Sequence, residues 1–442
     1  MKRLLGEAGF FAYLDALNQP YTRALRVNLL LRPDGTPPCP IEGLGAPVPW
    51  AKGAYFVEGD ARPGLSPLHE GGLFYMQEPS ALTAVTALDP QPGERVLDLC
   101  AAPGGKSTQI AALMAGRGLL CCNEPIPSRA QILSRNIERM GVRNAVVLSA
   151  MPDALAPRFP AFFDRILVDA PCSGEGMFRR QPEARDEWNA DAPRRCADRQ
   201  MEILAQAAKM LRPGGTMVYS TCTFNDTENE GVLRRFLALH PEFSLVPFAL
   251  PGLPEAKDGY LHLYPHEMRG EGHFVSRLKK ADGADGADAP VQAAPQRKAP
   301  ARAAAKGKAP APIALPDVFS DAFAPERLYT AGDALWMLPE GISIERLSGL
   351  RVLRTGLLLA HAEGKRSEPD HALAMALRPE EAARTASLTQ TQALAYQAGE
   401  TLSLGDLPGG YTLLCCEGVS LGWGKQAGGL MKNHYPKGLR RR

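Results

Sequence analysis

Between residues 95 and 221, five short apolar runs alternate with stretches of helical length, and this rhythm limits the possible folds more than any other feature of the chain. The runs are "RVLDLC" (95–100), "GLLCCNE" (118–124), "NAVVLS" (144–149), "RILVDA" (165–170) and "TMVYST" (216–221). Each reads as a buried strand, apolar on both faces. Helical candidates at 104–115, 127–140 and 199–212 lie between them, and the "RPGG" turn at 212–215 is expected to stop the last. Such alternation predicts an α/β fold, a doubly wound parallel sheet with helices on both faces. Ligands of such sheets bind beyond the carboxyl ends of the strands.

The chain has 442 residues, enough for two or three domains. Residues 281–314, "ADGADGADAPVQAAPQRKAPARAAAKGKAPAPIA", hold 22 Ala, Pro or Gly in 34 positions and no aromatic, so they read as a flexible linker. The expected plan is a small N-terminal lobe at 1–70, a catalytic domain at 71–280, that linker, and a C-terminal domain at 315–442 built from short strands such as "GGYTLLCCEGVSLGWGK" and a few helices. The opening "MKRLLGEAGFFAYLDALNQP" predicts an amphipathic helix rather than an export signal, because Glu7 and Asp15 interrupt its apolar core. No apolar run is long enough to span a bilayer, and a cytoplasmic protein that makes no membrane contact and acts as a monomer is expected. Nine cysteines, at 39, 100, 121, 122, 172, 196, 222, 415 and 416, include no Cys-x-x-Cys pair and no nearby histidine cluster, which argues against a metal site or a disulfide framework. The net charge of +2 carries no message about nucleic acid. Locally, residues 425–442 hold six Lys or Arg and no acid, with His434 and Tyr435 among them, and read either as a phosphate-contacting patch or as a solvated tail.

"DLCAAPGGKS" (98–107) follows the first strand and opens a helix, the position where this fold cradles a nucleotide-like cofactor. Pro103 stands where a dinucleotide fingerprint needs glycine, which disfavours NAD or FAD, and Walker-type spacing is absent too. Glu124 ends the second strand, placed to accept both hydroxyls of an adenosine ribose. Asp153, after the third, is placed to meet an adenine amine or simply to cap a turn. Together these suit S-adenosylmethionine, with its carboxylate on the loop amides.

The fourth and fifth strands end in "DAPC" and "YSTC". Neighbouring strands lie about 4.8 Å apart, so Cys172 and Cys222 are expected in one crevice with Asp169. Two thiols and a carboxylate fit a particular reaction. Carbon 5 of cytosine is too weak a nucleophile to take a sulfonium methyl until a thiolate has added to carbon 6. A carboxylate can hold the exocyclic amine or nitrogen 3 while charge develops. A base must then remove the carbon 5 proton. Chemistry alone does not order the two thiols, and Lys106 could equally lower a thiol pKa, contact substrate or brace the loop.

In order and spacing, "LFYMQEPSAL", "DLCAAPGGK", "NE", "DAPCSGEGMFRR", "LRPGG" and "YSTCTFNDTENE" resemble the Nop/Sun family of RNA (cytosine-5) methyltransferases over residues 70–280. The resemblance implies a Rossmann-like S-adenosylmethionine-dependent methyltransferase core. It also implies that Cys222 is the nucleophile, that Cys172 assists proton removal and product release, and that Cys100, Ala101, Ala102, Pro103, Gly104, Gly105, Lys106, Glu124, Asp153 and Asp169 contact the cofactor. The C-terminal "GLMKNHYPKGLRR" is similar to the end of RsmF-like bacterial enzymes, which implies a PUA-like RNA-binding module and a target in small-subunit (16S) rRNA rather than transfer RNA. The lobe at 1–70 is then expected to be an RNA-binding lobe and the domain at 71–280 the methyl-transferring one, with the two flanking domains expected to grip the RNA. A DNA enzyme would use the proline-cysteine thiol and need no threonine-cysteine motif; a non-catalytic ribosome-assembly protein would be expected to have lost a cysteine. Trp188, Arg179 and Arg180 could border the RNA groove or pack their loop. Cys121, Cys122, Cys415 and Cys416 read as core, Cys100 as packing, and Cys196 has no evident role.

Overall fold

The computed structural model describes residues 1–283, 313, 318, 325–363 and 366–441. Most of the 281–314 linker lies outside the described residues.

A nine-stranded sheet forms the centre. Five of its strands are parallel: Arg95–Asp98, Leu119–Asn123, Ala145–Leu148, Phe163–Asp169 and Leu211–Thr221. Across the sheet they run 145–148, 119–123, 95–98, 163–169, 211–221, so the chain winds outward from 95–98 in one direction and then returns to its other side. The direction of winding reverses between 95–98 and 163–169, and a crevice opens there at the carboxyl ends. Both faces are dry. Val96, Leu120, Cys122, Val147, Leu167 and Val218 share one apolar cluster with Ile110, Leu133 and Ile137 from helices Gly105–Leu113 and Pro127–Arg139. Their alternates Leu97, Cys121, Val146, Ile166, Met217 and Tyr219 meet helices Ala192–Met210 and Glu230–Leu239 through Leu204, Ala207, Leu233 and Phe236. Each fully covered aliphatic side chain contributes about 1.5–3 kcal/mol.

The sheet departs from the expectation at three places. Residues 212–215 do not end a helix in a turn; they lie inside strand Leu211–Thr221, where the register jumps from Phe163↔Leu211 to Arg165↔Thr216. The glycines there, with Gly214 at φ 68, accommodate a bulge that pairing with the neighbouring strand imposes. On that side, the antiparallel strand His273–Lys280 pairs with 211–221 and carries Phe243–Leu245 and Tyr260–Leu263. At the opposite edge, Val352–Arg354 from the C-terminal part pairs antiparallel with Ala145–Leu148, so the central sheet draws on residues beyond 280.

The N-terminal lobe is an antiparallel sheet in the order Leu44–Pro47, Ala54–Val57, Arg23–Val27, Phe74–Gln77. Its last strand lies past the expected boundary at 70. The first helix, Lys2–Leu17, is broken from helical geometry at Gly6 and buries only Tyr13, while Leu4, Phe11 and Leu14 are exposed. Leu5, Tyr13 and Leu17 nonetheless lie on one face and pack with Phe224 and Tyr264, so the expected apolar stripe is present but only partly covered. The C-terminal part holds two four-stranded sheets, one over residues 328–369 and one over 385–433. The second packs on the N-terminal lobe: Leu25, Val27, Leu73 and Phe74 share a core with Tyr396, Leu414, Leu421, Met431 and Tyr435. Tyr435 thus belongs to the core rather than to a basic RNA-facing patch, and Arg441 donates to the Ser66 carbonyl at 3.0 Å.

Candidate active site

The cofactor loop leaves strand Arg95–Asp98 and is tied down on every side. The Ala101 N–H donates to the Asn123 carbonyl at 2.9 Å, Asn136 Nδ2 to Pro103 O at 2.8 Å and Arg129 Nη2 to Ala102 O at 3.1 Å. Gly104 is left-handed at φ 116, and a Cβ there would meet Asn136 and Leu133 at 3.2 and 3.3 Å, so the turn admits only glycine without strain. Helix Gly105–Leu113 then presents its amino end, with the free N–H groups and positive dipole that suit a carboxylate. At the end of the neighbouring strand Glu124 is buried. Its Oε1 accepts from the Ile126 N–H at 3.0 Å, and Arg129 stands 3.4 Å from its Oε2. The carboxylate is therefore fixed in place with lone pairs to spare for vicinal hydroxyls. Asp153 is exposed in the first turn of the short helix Pro152–Leu155. This set of a helix amino end, a glycine-floored turn and a fixed acid on the next strand fits S-adenosylmethionine.

Asp169 and Ser220 are register partners on adjacent parallel strands. Just beyond them, the Cys172 and Cys222 sulfurs lie 3.2 Å apart. The carboxylate accepts from Lys106 Nζ at Oδ2 (2.8 Å) and from Ser220 Oγ at Oδ1 (2.8 Å), so the cofactor loop and the two cysteine-bearing strands meet at one group. Burial pushes the Asp169 carboxyl up, but the adjacent Lys106 ammonium and the His273 imidazole together outweigh it and hold the group well below the usual carboxylate range. Lys106 is likewise pulled down by burial and raised on balance by Asp169. The hydrogen bond to Cys222 and burial push the Cys172 thiol well above the usual cysteine range. Burial does the same to Cys100, Cys121 and Cys122, as suits packing thiols.

Behind the cysteines lies a layer of polar residues that the sequence reading did not single out as functional. Glu228, fully buried, accepts from the Ser173 N–H (2.9 Å), Gln200 Nε2 (2.9 Å) and Asn225 Nδ2 (2.8 Å), and also contacts Ser173 Oγ. Glu175 accepts from Thr223 Oγ1 and the Phe224 N–H, each at 2.8 Å, and the Gly176 N–H donates to Cys222 O at 2.8 Å. These bonds tie the 170–177 loop to the 222–229 loop. The acids stand in the quoted motifs "DAPCSGEG" and "TENE"; the missing signal was that each motif reaches across to the other. Arg179 is buried in a pair with Glu271 at 2.7 Å and packs its loop, whereas Arg180 and Trp188 remain at the surface. Trp188, Phe178, Arg185, Tyr13 and Leu14 line a cleft of about 510 Å³ against Glu175. Among the described residues no cluster of His, Cys, Asp or Glu could hold a metal, and no helix is long and apolar enough to cross a membrane.

Comparison with known proteins finds matches along nearly the whole chain. Residues 85–279 match the family model described as 16S rRNA methyltransferase RsmB/F. Residues 1–79 match the N-terminal domain of 16S rRNA methyltransferase RsmF, 316–377 the RsmF rRNA methyltransferase first C-terminal domain, and 383–441 the methyltransferase RsmF PUA domain. The ribosomal RNA small subunit methyltransferase F of Erwinia tasmaniensis is 33% identical over 463 residues, covering 99% of this chain and 95% of the relative. The same-named protein of Escherichia coli O127:H6 is 34% identical over 97% and 92%. Among solved structures, PH0851 is 31% identical with a TM-score of 0.57, over 63% of this chain and 64% of that one. A methyltransferase homolog protein from Pyrococcus horikoshii is 29% identical with a TM-score of 0.51, over 63% and 97%.

Proposed function

The chain belongs to the 16S rRNA methyltransferase RsmB/F family, and on that premise we propose that it forms 5-methylcytosine in small-subunit ribosomal RNA through a covalent adduct between Cys222 and carbon 6 of the target base. The family and its cofactor make it an S-adenosylmethionine-dependent methyltransferase of ribosomal RNA. The finer reading is carried by one observation, two thiols in contact beside Asp169 at the mouth of the cofactor loop.

When bound, S-adenosylmethionine would supply an electrophilic methyl group, and the 100–106 loop with the amino end of helix Gly105–Leu113, Glu124 and Asp153 would hold it. The target cytidine must leave its stack to reach that site. The Cys222 thiolate adds to carbon 6, which turns carbon 5 into the nucleophilic end of an enamine. Asp169 stays ionised beside Lys106 and so accepts a hydrogen bond from the exocyclic amine. Uracil presents a carbonyl there and would be repelled. Once carbon 5 carries the methyl, its proton passes to a base assisted by Cys172, the electron pair re-forms the 5,6 double bond, and the Cys222 sulfur leaves.

RsmF-type matches at both ends of the chain favour ribosomal over transfer RNA. The intact thiol pair favours an enzyme over a non-catalytic assembly protein. Bisulfite sequencing of total RNA from cells with and without the protein tests the proposal. At least one protected cytidine in 16S rRNA should become convertible when the protein is absent, and an unchanged 16S pattern would refute it.

A further inference from the structure

His273 begins the strand His273–Lys280, whose second residue, Phe274, pairs with Thr221. That register sets His273 alongside Cys222, at the end of the sheet where the reacting groups gather. The side chain is 3% exposed. Its Nε2 stands 3.5 Å from Asp169 Oδ1, at the outer limit of hydrogen-bond length, and makes no well-formed bond to any other group. Buried polar atoms are rarely left so, and an orphan aimed at a reacting group points to a bond completed in another state.

The lone pairs of Asp169 suggest which bond. An ionised carboxylate offers about four acceptor sites. Ser220 Oγ takes one on Oδ1 and Lys106 Nζ takes one on Oδ2, which leaves one site on each oxygen. An amine arriving from the substrate could then use either, in two orientations of the base. Moving the imidazole by roughly half an ångström brings Nε2 to hydrogen-bond length from Oδ1.

We propose that His273 is a positioning residue: its Nε2–H fills the open site of Asp169 Oδ1, so that the carboxylate meets the cytosine amine through Oδ2 alone. This rests on the reading of Asp169 as the acceptor of that amine. The imidazole donates through its Nε2–H. It touches neither substrate nor cofactor, and its effect runs through Asp169.

The test compares the full-length protein with His273→Phe, which keeps a ring of similar shape, and His273→Gln, whose amide nitrogen reaches the Nε2 position. Methyl transfer to 16S rRNA is measured at saturating RNA and cofactor, together with S-adenosylmethionine Kd by calorimetry and the melting temperature. H273F should lose about tenfold or more in kcat, the scale of one hydrogen bond to a charged group, with Kd and Tm unchanged. H273Q should recover most of that loss. Wild-type kcat in H273F overturns the inference, as does a loss that H273Q fails to restore or that comes with weakened cofactor binding. The wild-type product is scored separately by nucleoside mass spectrometry. Absence of 5-methylcytidine overturns both readings, whereas its presence with an unaffected H273F overturns this one alone.

Discussion

At pH 7 the Cys172 thiol keeps its proton, because its hydrogen bond to Cys222 and its burial both favour the neutral form. A protonated sulfur is a poor nucleophile. It can, however, donate a hydrogen bond to the Cys222 sulfur 3.2 Å away, so the two thiols can share one proton between them. The proposed roles separate under trapping. With RNA and cofactor present, Cys172→Ala should accumulate a denaturation-resistant protein–RNA complex, seen as a shifted band on a denaturing gel, and Cys222→Ala should give none. The reverse pattern would exchange the roles. The sequence motifs marked both cysteines and Asp169, because these residues stand where strand patterns end in loops. His273 gave no comparable signal. A lone histidine before an apolar strand reads as an ordinary core residue until its neighbour across the sheet is known.

The two cysteine loops are held by each other rather than by their own strands. Glu228 joins Ser173, Gln200 and Asn225, and so connects three segments without a cationic partner among those bonds. Replacing it by glutamine turns one acceptor oxygen into a donor that faces other donors, in a site where every polar group must be matched. Glu228→Gln is expected to lower kcat by about tenfold or more, on the scale of a charge-assisted bond lost, with S-adenosylmethionine affinity kept; steady-state kinetics and calorimetry separate the two. At this scale the five parallel strands were legible, since burial on both faces writes a local apolar pattern. The "RPGG" stretch was not. Proline and glycines signal a turn by themselves, and only pairing with 163–169 turns that irregularity into a bulge within a strand.

The linker suggests a tethered C-terminal module, yet the parts share cores and edges. Val352–Arg354 covers the 145–148 edge of the central sheet, and Arg354 pairs with Glu138 at 2.6 Å. Arg143 Nη1 reaches Glu381 at 3.0 Å, and Tyr435 and Tyr396 complete an apolar cluster with Phe74 and Leu25. An unpaired strand edge and an uncovered apolar face are costly in water. A protease site engineered between residues 290 and 300 should therefore yield two fragments that co-elute on size exclusion after cleavage and retain methyl transfer. Fragments that separate would show that the contacts do not hold the parts together.

The sequence by itself determined the doubly wound sheet, the glycine-floored cofactor turn and the candidate thiols, because strand burial, left-handed backbone and loop placement are written in neighbouring residues. Only the tertiary structure decided that Cys172 and Cys222 touch, that Lys106, Ser220 and His273 converge on Asp169, and that the last sheet closes against the first. Those facts depend on strand order and register, which join residues up to several hundred positions apart and leave no mark on local periodicity.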